Sequence, residues 1–183
     1  MTRKPKIGLL PLYLKLYDET TPDRRAGFGD FLSLVRKSFA ERGIDVICAE
    51  VSRISEEVAA AVDRFEREDV DAVATLHLAY SPSLEAIDAM VRFKRPLILL
   101  DTTMDHGFGT DVDPDRLMYN HGIHGVMDFA SMLRRHERSF EIVAGHVTQS
   151  NVLDRAAGLA RAAYAARTFH GSHTLRLGTA FAG

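Results

Sequence analysis

Apolar positions along the chain fall into short continuous runs, and these runs alternate with longer stretches in which apolar residues recur every three or four positions. The short runs are typical of strands buried on both faces, and the longer stretches are typical of amphipathic helices. We predict six strands, at residues 7–10, 44–48, 70–76, 96–100, 140–144 and 174–177. Helices are predicted at about 22–42, from 55, from 81, from 120 and at about 150–167.

Strands that alternate with helices of this length form right-handed βαβ units, which build a parallel sheet covered by helices on both faces. The sequence therefore predicts an α/β fold, a flavodoxin-like three-layer doubly wound parallel sheet with strand order 2-1-3-4-5. The sixth strand would lie at an edge or lead elsewhere. Because no helix follows it, we expect residues 1–173 to form the flavodoxin-like domain and residues 174–183 to begin a further domain.

Composition and charge narrow the function classes. Of the 183 residues, 46% are hydrophobic and 26% are charged, so the chain can bury a core. The net charge of −2 and the lack of a basic block argue against nucleic acid and anionic membranes as partners. The single cysteine, Cys48, excludes a disulfide framework, and we expect a cytoplasmic protein.

The stretch of residues 118–129 carries two histidines and two glycines at the start of a predicted helix. Asn120 is the expected N-cap, and His121 and His124 lie on one face because they are three residues apart. Gly122 and Gly125 each cost a helix roughly 1 kcal/mol relative to alanine, so we expect a backbone or a ligand to come close to them. Two partly exposed histidines beside a packing contact are the alternative that this stretch leaves open.

Ligands of open α/β sheets bind at the carboxyl ends of the strands, and polar residues follow several predicted strands of this chain. These are Tyr13, Lys15, Tyr17, Asp18 and Glu19 after strand one, His77 and Tyr80 after strand three, Asp101, Thr102 and Thr103 after strand four, and His146 after strand five. Four histidines are expected along this edge: His77, His121, His124 and His146. Loops are polar in general, but this combination matches a polyol or sugar pocket better than chance.

Several other ligand classes lack their motifs in this sequence. No G-x-G-x-x-G follows strand one, which argues against a dinucleotide, and the chain has no P-loop and no G-x-S-x-G turn. His121 and His124 could ligate a metal, but no carboxylate is obviously placed beside them, and Asp128 is interpreted as a helix-surface charge. We therefore assign neither a catalytic residue nor a metal ligand to this chain.

Four segments carry a family resemblance through their order and spacing: residues 70–82 (VDAVATLHLAYSP), 99–103 (LLDTT), 118–125 (MYNHGIHG) and 144–146 (AGH). Together they resemble the N-terminal domain of the L-arabinose isomerase and L-fucose isomerase family. The resemblance implies a three-domain aldose–ketose isomerase, assisted by Mn²⁺, whose first domain is flavodoxin-like. It also implies that carboxylates and histidines of the later domains hold the metal, and that the first domain covers the active site of a neighbouring subunit in a homo-oligomer.

The resemblance also implies roles for individual positions. His124 is the best counterpart of the family's substrate-contacting histidine, Tyr80 matches its aromatic wall, and Lys15 and Tyr17 match its segment after strand one. The full set expected to contact the sugar is His124, His121, Asn120, Tyr80, His77, Tyr17, Lys15 and Thr102.

The sequence departs from the arabinose isomerases at Leu14, Asn120 and His121, which leaves the sugar unassigned and favours a fucose-isomerase-like branch. A single domain of this kind would be inactive by itself. A non-catalytic sugar-binding or assembly module is the alternative function.

Overall fold

The computed structural model describes residues 3–178. Its centre is a sheet of five parallel strands: β1 (Lys6–Leu12), β2 (Asp45–Cys48), β3 (Ala72–His77), β4 (Leu97–Asp101) and β5 (Glu141–Ala144). The strand order is β2-β1-β3-β4-β5, which confirms the predicted flavodoxin-like arrangement. Because β3 pairs with β1 on one side and β4 on the other, the carboxyl ends of these three strands lie next to one another.

Within residues 3–178, six α-helices and three short 3₁₀ helices connect and cover the strands. The α-helices are α1 (Lys15–Thr20), α2 (Gly29–Glu41), α3 (Ser55–Arg67), α4 (Ile87–Arg92), α5 (Gly122–Arg135) and α6 (Val152–His170). The 3₁₀ helices are Arg24–Phe28, Ser83–Glu85 and Pro114–Tyr119. The predicted helix from 22 therefore begins as a 3₁₀ helix, and the one predicted from 81 is divided into a 3₁₀ helix and α4.

Two apolar layers, one on each face of the sheet, form the core. Leu9 of β1 packs with buried residues of α2 and α6, whereas the next residue, Leu10, packs with those of α3, α4 and α5. Successive strand residues point to opposite faces, so a strand covered on both sides must be apolar throughout. This is why the central strands appear in the sequence as continuous apolar runs.

The predicted sixth strand is wrong. Residues 174–177 form neither helix nor strand, and within residues 3–178 they pair with no strand of the sheet. Leu175 and Leu177 are 83% and 88% exposed, so the short apolar alternation has no surface to pack against. Residues 179–183 lie outside the described residues, and the assignment of 174–183 to a further domain stays a prediction.

An ion network closes the amino-terminal end of the sheet. The fully buried carboxylate of Asp71 binds the guanidinium of Arg3 at 2.6 Å and accepts the backbone N–H of Lys6 at 2.9 Å. Arg167, near the end of α6, lies 3.3 Å from the same carboxylate and 2.6 Å from Asp69. The network therefore joins the start of the chain, β3 and α6 at the end of the sheet opposite the predicted site.

No helix in the part of the chain described here combines the length and apolar character that a membrane crossing requires.

Candidate functional site

The amino-terminal end of α5 rests directly on the carboxyl end of β3. A Cβ atom added at Gly122 would lie 2.1 Å from the carbonyl oxygen of His77, and one added at Gly125 would lie 2.7 Å from His77 Nδ1. Only glycine permits so close an approach. We expected a backbone or a ligand to come close to these two glycines. At Gly122 this is confirmed by the backbone of His77 in β3, whereas at Gly125 the nearest atoms belong to the side chains of His77 and Ser81.

His77 lies at the predicted edge of the sheet, but its ring is beneath α5 and not on the surface. The residue is only 4% exposed, and Nδ1 lies 2.7 Å from the hydroxyl oxygen of Ser81. Burial lowers the pKa of His77 to about 3, although the charge of Asp128 acts in the opposite direction. The structure gives no support to the expected contact between His77 and a sugar, because α5 packs closely on β3 at its two glycines and covers the His77 ring.

His121 is the N-cap residue of α5, one position later than the predicted Asn120. Its Nδ1 lies 3.1 Å from the carbonyl oxygen of Leu117, and its Nε2 lies 3.1 Å from the hydroxyl of Tyr17 and 3.3 Å from the backbone N–H of Tyr80. Burial is the largest influence on the pKa of His121 and lowers it. His121 therefore joins α1, the segment after β3 and α5.

His124 is exposed one turn further along α5. Its Nδ1 lies 3.3 Å from the carbonyl oxygen of His121, and the two imidazole rings are 6.2 Å apart between centroids. Because a carbonyl oxygen only accepts hydrogen bonds, Nδ1 donates in this contact, and Nε2 is the other ring nitrogen of an exposed side chain. The structure thus brings together four of the predicted residues, Tyr17, Tyr80, His121 and His124, which we call the tyrosine–histidine cluster.

Asn120 has a structural position in the loop between β4 and α5. Its side-chain oxygen accepts the backbone N–H of Asp105 at 2.9 Å, and its amide nitrogen donates to the Asp105 carboxylate at 2.5 Å and to the carbonyl oxygen of Arg116 at 2.9 Å. The prediction that Asn120 caps α5 is wrong, since its side chain binds the preceding loop instead. These contacts occupy the amide that a sugar would require.

The other two predicted contacts lie outside the cluster. Thr102 is 6% exposed, and its hydroxyl is buried in the interior after β4. Lys15 is exposed as the first residue of α1, two positions from Tyr17. Lys15 is thus accessible to a ligand, whereas Thr102 is enclosed, and the sugar contact assigned to each stays a prediction.

His146 forms a second histidine group with His106, which the sequence analysis had not selected. The two rings are 5.4 Å apart between centroids. His146 Nε2 donates to the carbonyl oxygen of Met104 at 3.1 Å, and its Nδ1 accepts the backbone N–H of Gln149 at 3.1 Å. Both ring nitrogens of His146 therefore hold loops together at the edge formed by β4 and β5.

Several exposed apolar side chains lie on the segments that carry the tyrosine–histidine cluster or pack against those segments. Leu16 precedes Tyr17 in the sequence, Leu117 binds His121 through its carbonyl oxygen, and Met127 lies on α5 with 63% of its surface exposed. Leu84 is 71% exposed on the 3₁₀ helix Ser83–Glu85, which binds Asp128 of α5 through the backbone N–H of Ser83. Clustered exposed apolar residues are characteristic of surfaces that another protein covers.

Metal ligation requires more donors than these residues bring together. Across residues 3–178, no group of three or more His, Cys, Asp or Glu side chains is arranged to hold a metal ion. The tyrosine–histidine cluster contributes two imidazoles and no carboxylate, which is not a donor set typical of Mn²⁺. A metal bound near this surface would need ligands from other polypeptide.

A groove of about 780 Å³ lies between α3, the loop after β2 and residues 22–26, and none of the four cluster residues lines it. Arg53 lines it and forms ion pairs with Asp18 and Glu57, and Asp18 also pairs with Arg25. These charged groups neutralise one another within the protein. The groove therefore offers less distinctive chemistry than the tyrosine–histidine cluster.

Comparison with known proteins identifies the family of the chain. Residues 33–171 match the family model of the L-arabinose isomerase N-terminal domain. The chain belongs to this family. This confirms the family that the four segments predicted, and residues 33–171 include all four of them. No curated protein sequence matches the chain significantly.

Among solved structures, the chain is similar to the azoreductase from Bacillus anthracis str. Sterne. The TM-score is 0.41 and the sequence identity 14%, over 86% of this chain and 99% of that chain. This similarity has no bearing on the activity of the chain.

Proposed function

We propose that this domain supplies part of the sugar-binding surface of a metal-dependent aldose–ketose isomerase. Membership of the L-arabinose isomerase N-terminal domain family supports the reaction class. The observation that carries the role of this domain is the tyrosine–histidine cluster at the carboxyl edge of the sheet, where open α/β folds bind ligands. The remaining catalytic parts belong to other polypeptide.

The cluster suits a polyol because it combines half-buried rings with outward hydrogen-bonding atoms. Tyr17 and Tyr80 present aromatic surface to the C–H face of a sugar, and His124 Nε2 accepts a hydrogen bond from a sugar hydroxyl. Burial raises the pKa of Tyr17, so the phenol stays neutral at pH 7. We call Tyr17, Tyr80 and His124 the sugar wall. The sugar wall binds and orients the sugar and excludes water, while proton transfer between the sugar carbons occurs elsewhere.

The apolar residues around the cluster support a covered position for this wall. Leu16, Leu84, Leu117 and Met127 lie on the segments that carry the cluster or pack against them. We propose that a neighbouring subunit of a homo-oligomer covers them and brings its catalytic domains, with Mn²⁺ bound there, against the wall. Such a contact would bury the sugar between the two chains.

The first test measures ketose formation by the purified 183-residue chain and by a full-length protein that carries it. Each is given MnCl₂ and a panel of unphosphorylated aldoses that includes L-arabinose and L-fucose. We expect turnover only by the full-length protein and loss of that turnover after chelation with EDTA. Turnover by the chain alone would contradict the division of the active site between polypeptides. A full-length protein that binds an aldose without converting any would instead support the non-catalytic module.

A further inference from the structure

The hydrogen bonds of His121 leave only one assignment for its two ring nitrogens. Nδ1 faces the carbonyl oxygen of Leu117, which can only accept, so Nδ1 carries the proton. Nε2 faces the backbone N–H of Tyr80, which can only donate, so Nε2 is the acceptor. The two contacts are independent of each other, and both require the neutral Nδ1–H tautomer.

The neutral form of this ring agrees with its surroundings. Burial disfavours the imidazolium, so the pKa of His121 is lowered despite the hydrogen bond to Leu117. Protonation of Nε2 would also place its N–H against the backbone N–H of Tyr80 at 3.3 Å. The tautomer is therefore set by the fold and does not depend on a ligand.

This tautomer determines the orientation of the hydroxyl of Tyr17. Because Nε2 carries no proton, the phenolic O–H of Tyr17 is the donor of the 3.1 Å contact, in which it shares the single Nε2 lone pair with the backbone N–H of Tyr80, and the Tyr17 lone pairs stay free of this contact. In His124, as in His121, Nδ1 is the donor, because it faces the carbonyl oxygen of His121. Toward a ligand, Tyr17 Oη therefore offers its lone pairs, and Nε2 of a neutral His124 ring does the same.

We infer that His121 is a positioning residue and does not itself bind the sugar. It fixes Tyr17 as a hydrogen-bond acceptor, so that the wall selects ligand hydroxyl groups that donate. Both of its nitrogens are occupied within the protein, which leaves no ring nitrogen for a ligand. This inference rests on the proposed function for its consequence in catalysis, whereas the tautomer itself can be measured on the chain alone.

Two substitutions of His121 distinguish the role of Nδ1 from the role of Nε2. His121→Gln can place an amide oxygen where Nε2 lies and so keep the acceptor for Tyr17 and Tyr80. His121→Asn can place an amide nitrogen where Nδ1 lies and so keep the bond to Leu117, but it is too short to reach Tyr17. If His121 only caps α5, the Asn variant should keep more of the activity than the Gln variant. If His121 positions Tyr17, the Gln variant should keep more of the activity.

The first measurement is a long-range ¹H–¹⁵N correlation spectrum of the 183-residue chain with ¹⁵N-labelled histidine at pH 7.5. We expect His121 as the neutral Nδ1–H tautomer without any ligand. An Nε2–H tautomer or an imidazolium would overturn the inference, and this result does not depend on the activity of the full-length protein. Thermal unfolding of both variants reports whether either one fails to fold.

The second measurement is the kinetics of the full-length isomerase on its best aldose from the panel. We expect His121→Asn to raise KM about tenfold with little change in kcat, which is the scale of one lost hydrogen bond, and His121→Gln to restore most of the loss. Equal kinetics for the two variants would overturn the inference. If Tyr17→Phe and His124→Ala are also without effect, the proposed sugar wall itself is wrong.

Discussion

At the scale of single residues, Gly122 and Gly125 set the position of the candidate site. They allow α5 to approach the end of β3 closely enough to bury the ring of His77 and to bring His121 to Tyr17. A helix normally disfavours glycine, and here the close contact offsets that disadvantage. The sequence could predict that something approaches these glycines, because a local cost without a local reason indicates a tertiary one.

Gly122→Ala should lower the free energy of unfolding by roughly 2 kcal/mol or more, because the added Cβ meets the backbone oxygen of His77 and backbone yields little. Urea denaturation of the chain would measure the change. Gly158→Ala is the matched control within α6, where an added Cβ meets nothing within 4 Å. That substitution should stabilise the chain by about 0.5–1 kcal/mol. Equal effects at both positions would contradict the close contact.

At the scale of elements, α5 carries both histidines of the cluster and covers a third one. Its apolar side, including Val126, Phe129 and Leu133, packs on the sheet, and its first turn presents His121 and His124 at the sheet edge. The buried His77 beneath this turn makes the packing of α5 sensitive to acid. The fold therefore predicts a specific pH dependence of stability.

His77 is expected to reduce the stability of the chain in mild acid. An unfolded histidine titrates near 6.5, whereas burial lowers the pKa of folded His77 to about 3, so protonation favours the unfolded chain. The contribution of His77 should be fully present above pH 6.5 and should be lost progressively as the pH falls towards 3. Urea denaturation between pH 8 and 4 would measure the loss.

His77→Gln is the comparison that isolates this group, since it cannot titrate. Its stability should be lower at pH 7.5 but should fall less steeply between pH 6.5 and 4. Asp71 is a second group whose protonation destabilises the chain, at lower pH than His77. Burial raises the pKa of its carboxyl group, but the hydrogen bonds from Arg3 and Lys6 outweigh burial and hold this pKa below 3.8. The same slope in His77→Gln and the parent chain would show that another group is responsible.

Strands and long helices were predictable because burial on one or both faces leaves a pattern in the sequence. The helix α1 was missed because six residues with no buried side chain carry no such pattern. The sixth strand was wrong because residues 174–177 have the composition of a strand but no partner in the described sheet. Asn120 was mistaken for a cap because its side chain forms its bonds with Asp105, fifteen positions earlier in the chain.

At the scale of the whole molecule, strand order alone places β1, β3 and β4 side by side, so the segments after them could be expected at one edge. Which side chains reach the surface there could not be predicted. His77 ends a strand and Thr102 follows one, as Tyr80 does, yet both are buried, His77 beneath the first turn of α5. Sequence gives the order of these residues, and packing decides which of them face a ligand.

The described part of the chain thus has the Asp71 network at one end of its sheet and the tyrosine–histidine cluster at the other, with exposed apolar residues on the segments that carry the cluster. A domain with this organisation can orient a sugar without holding the groups that move its protons. The proposed sugar-binding role depends on His124, the exposed member of the cluster, whose Nδ1 donates to the carbonyl oxygen of His121.

The most direct measurement is the turnover of an aldose by the full-length isomerase with His124→Ala, compared with His136→Ala. His136 is an exposed histidine at the opposite end of the same helix, so its substitution controls for the loss of an imidazole from α5. We predict a decrease in kcat/KM of at least about tenfold for His124→Ala, the scale of one hydrogen bond to the sugar, and no comparable change for His136→Ala. Unchanged turnover by a folded His124→Ala variant would contradict the sugar-binding role of this edge.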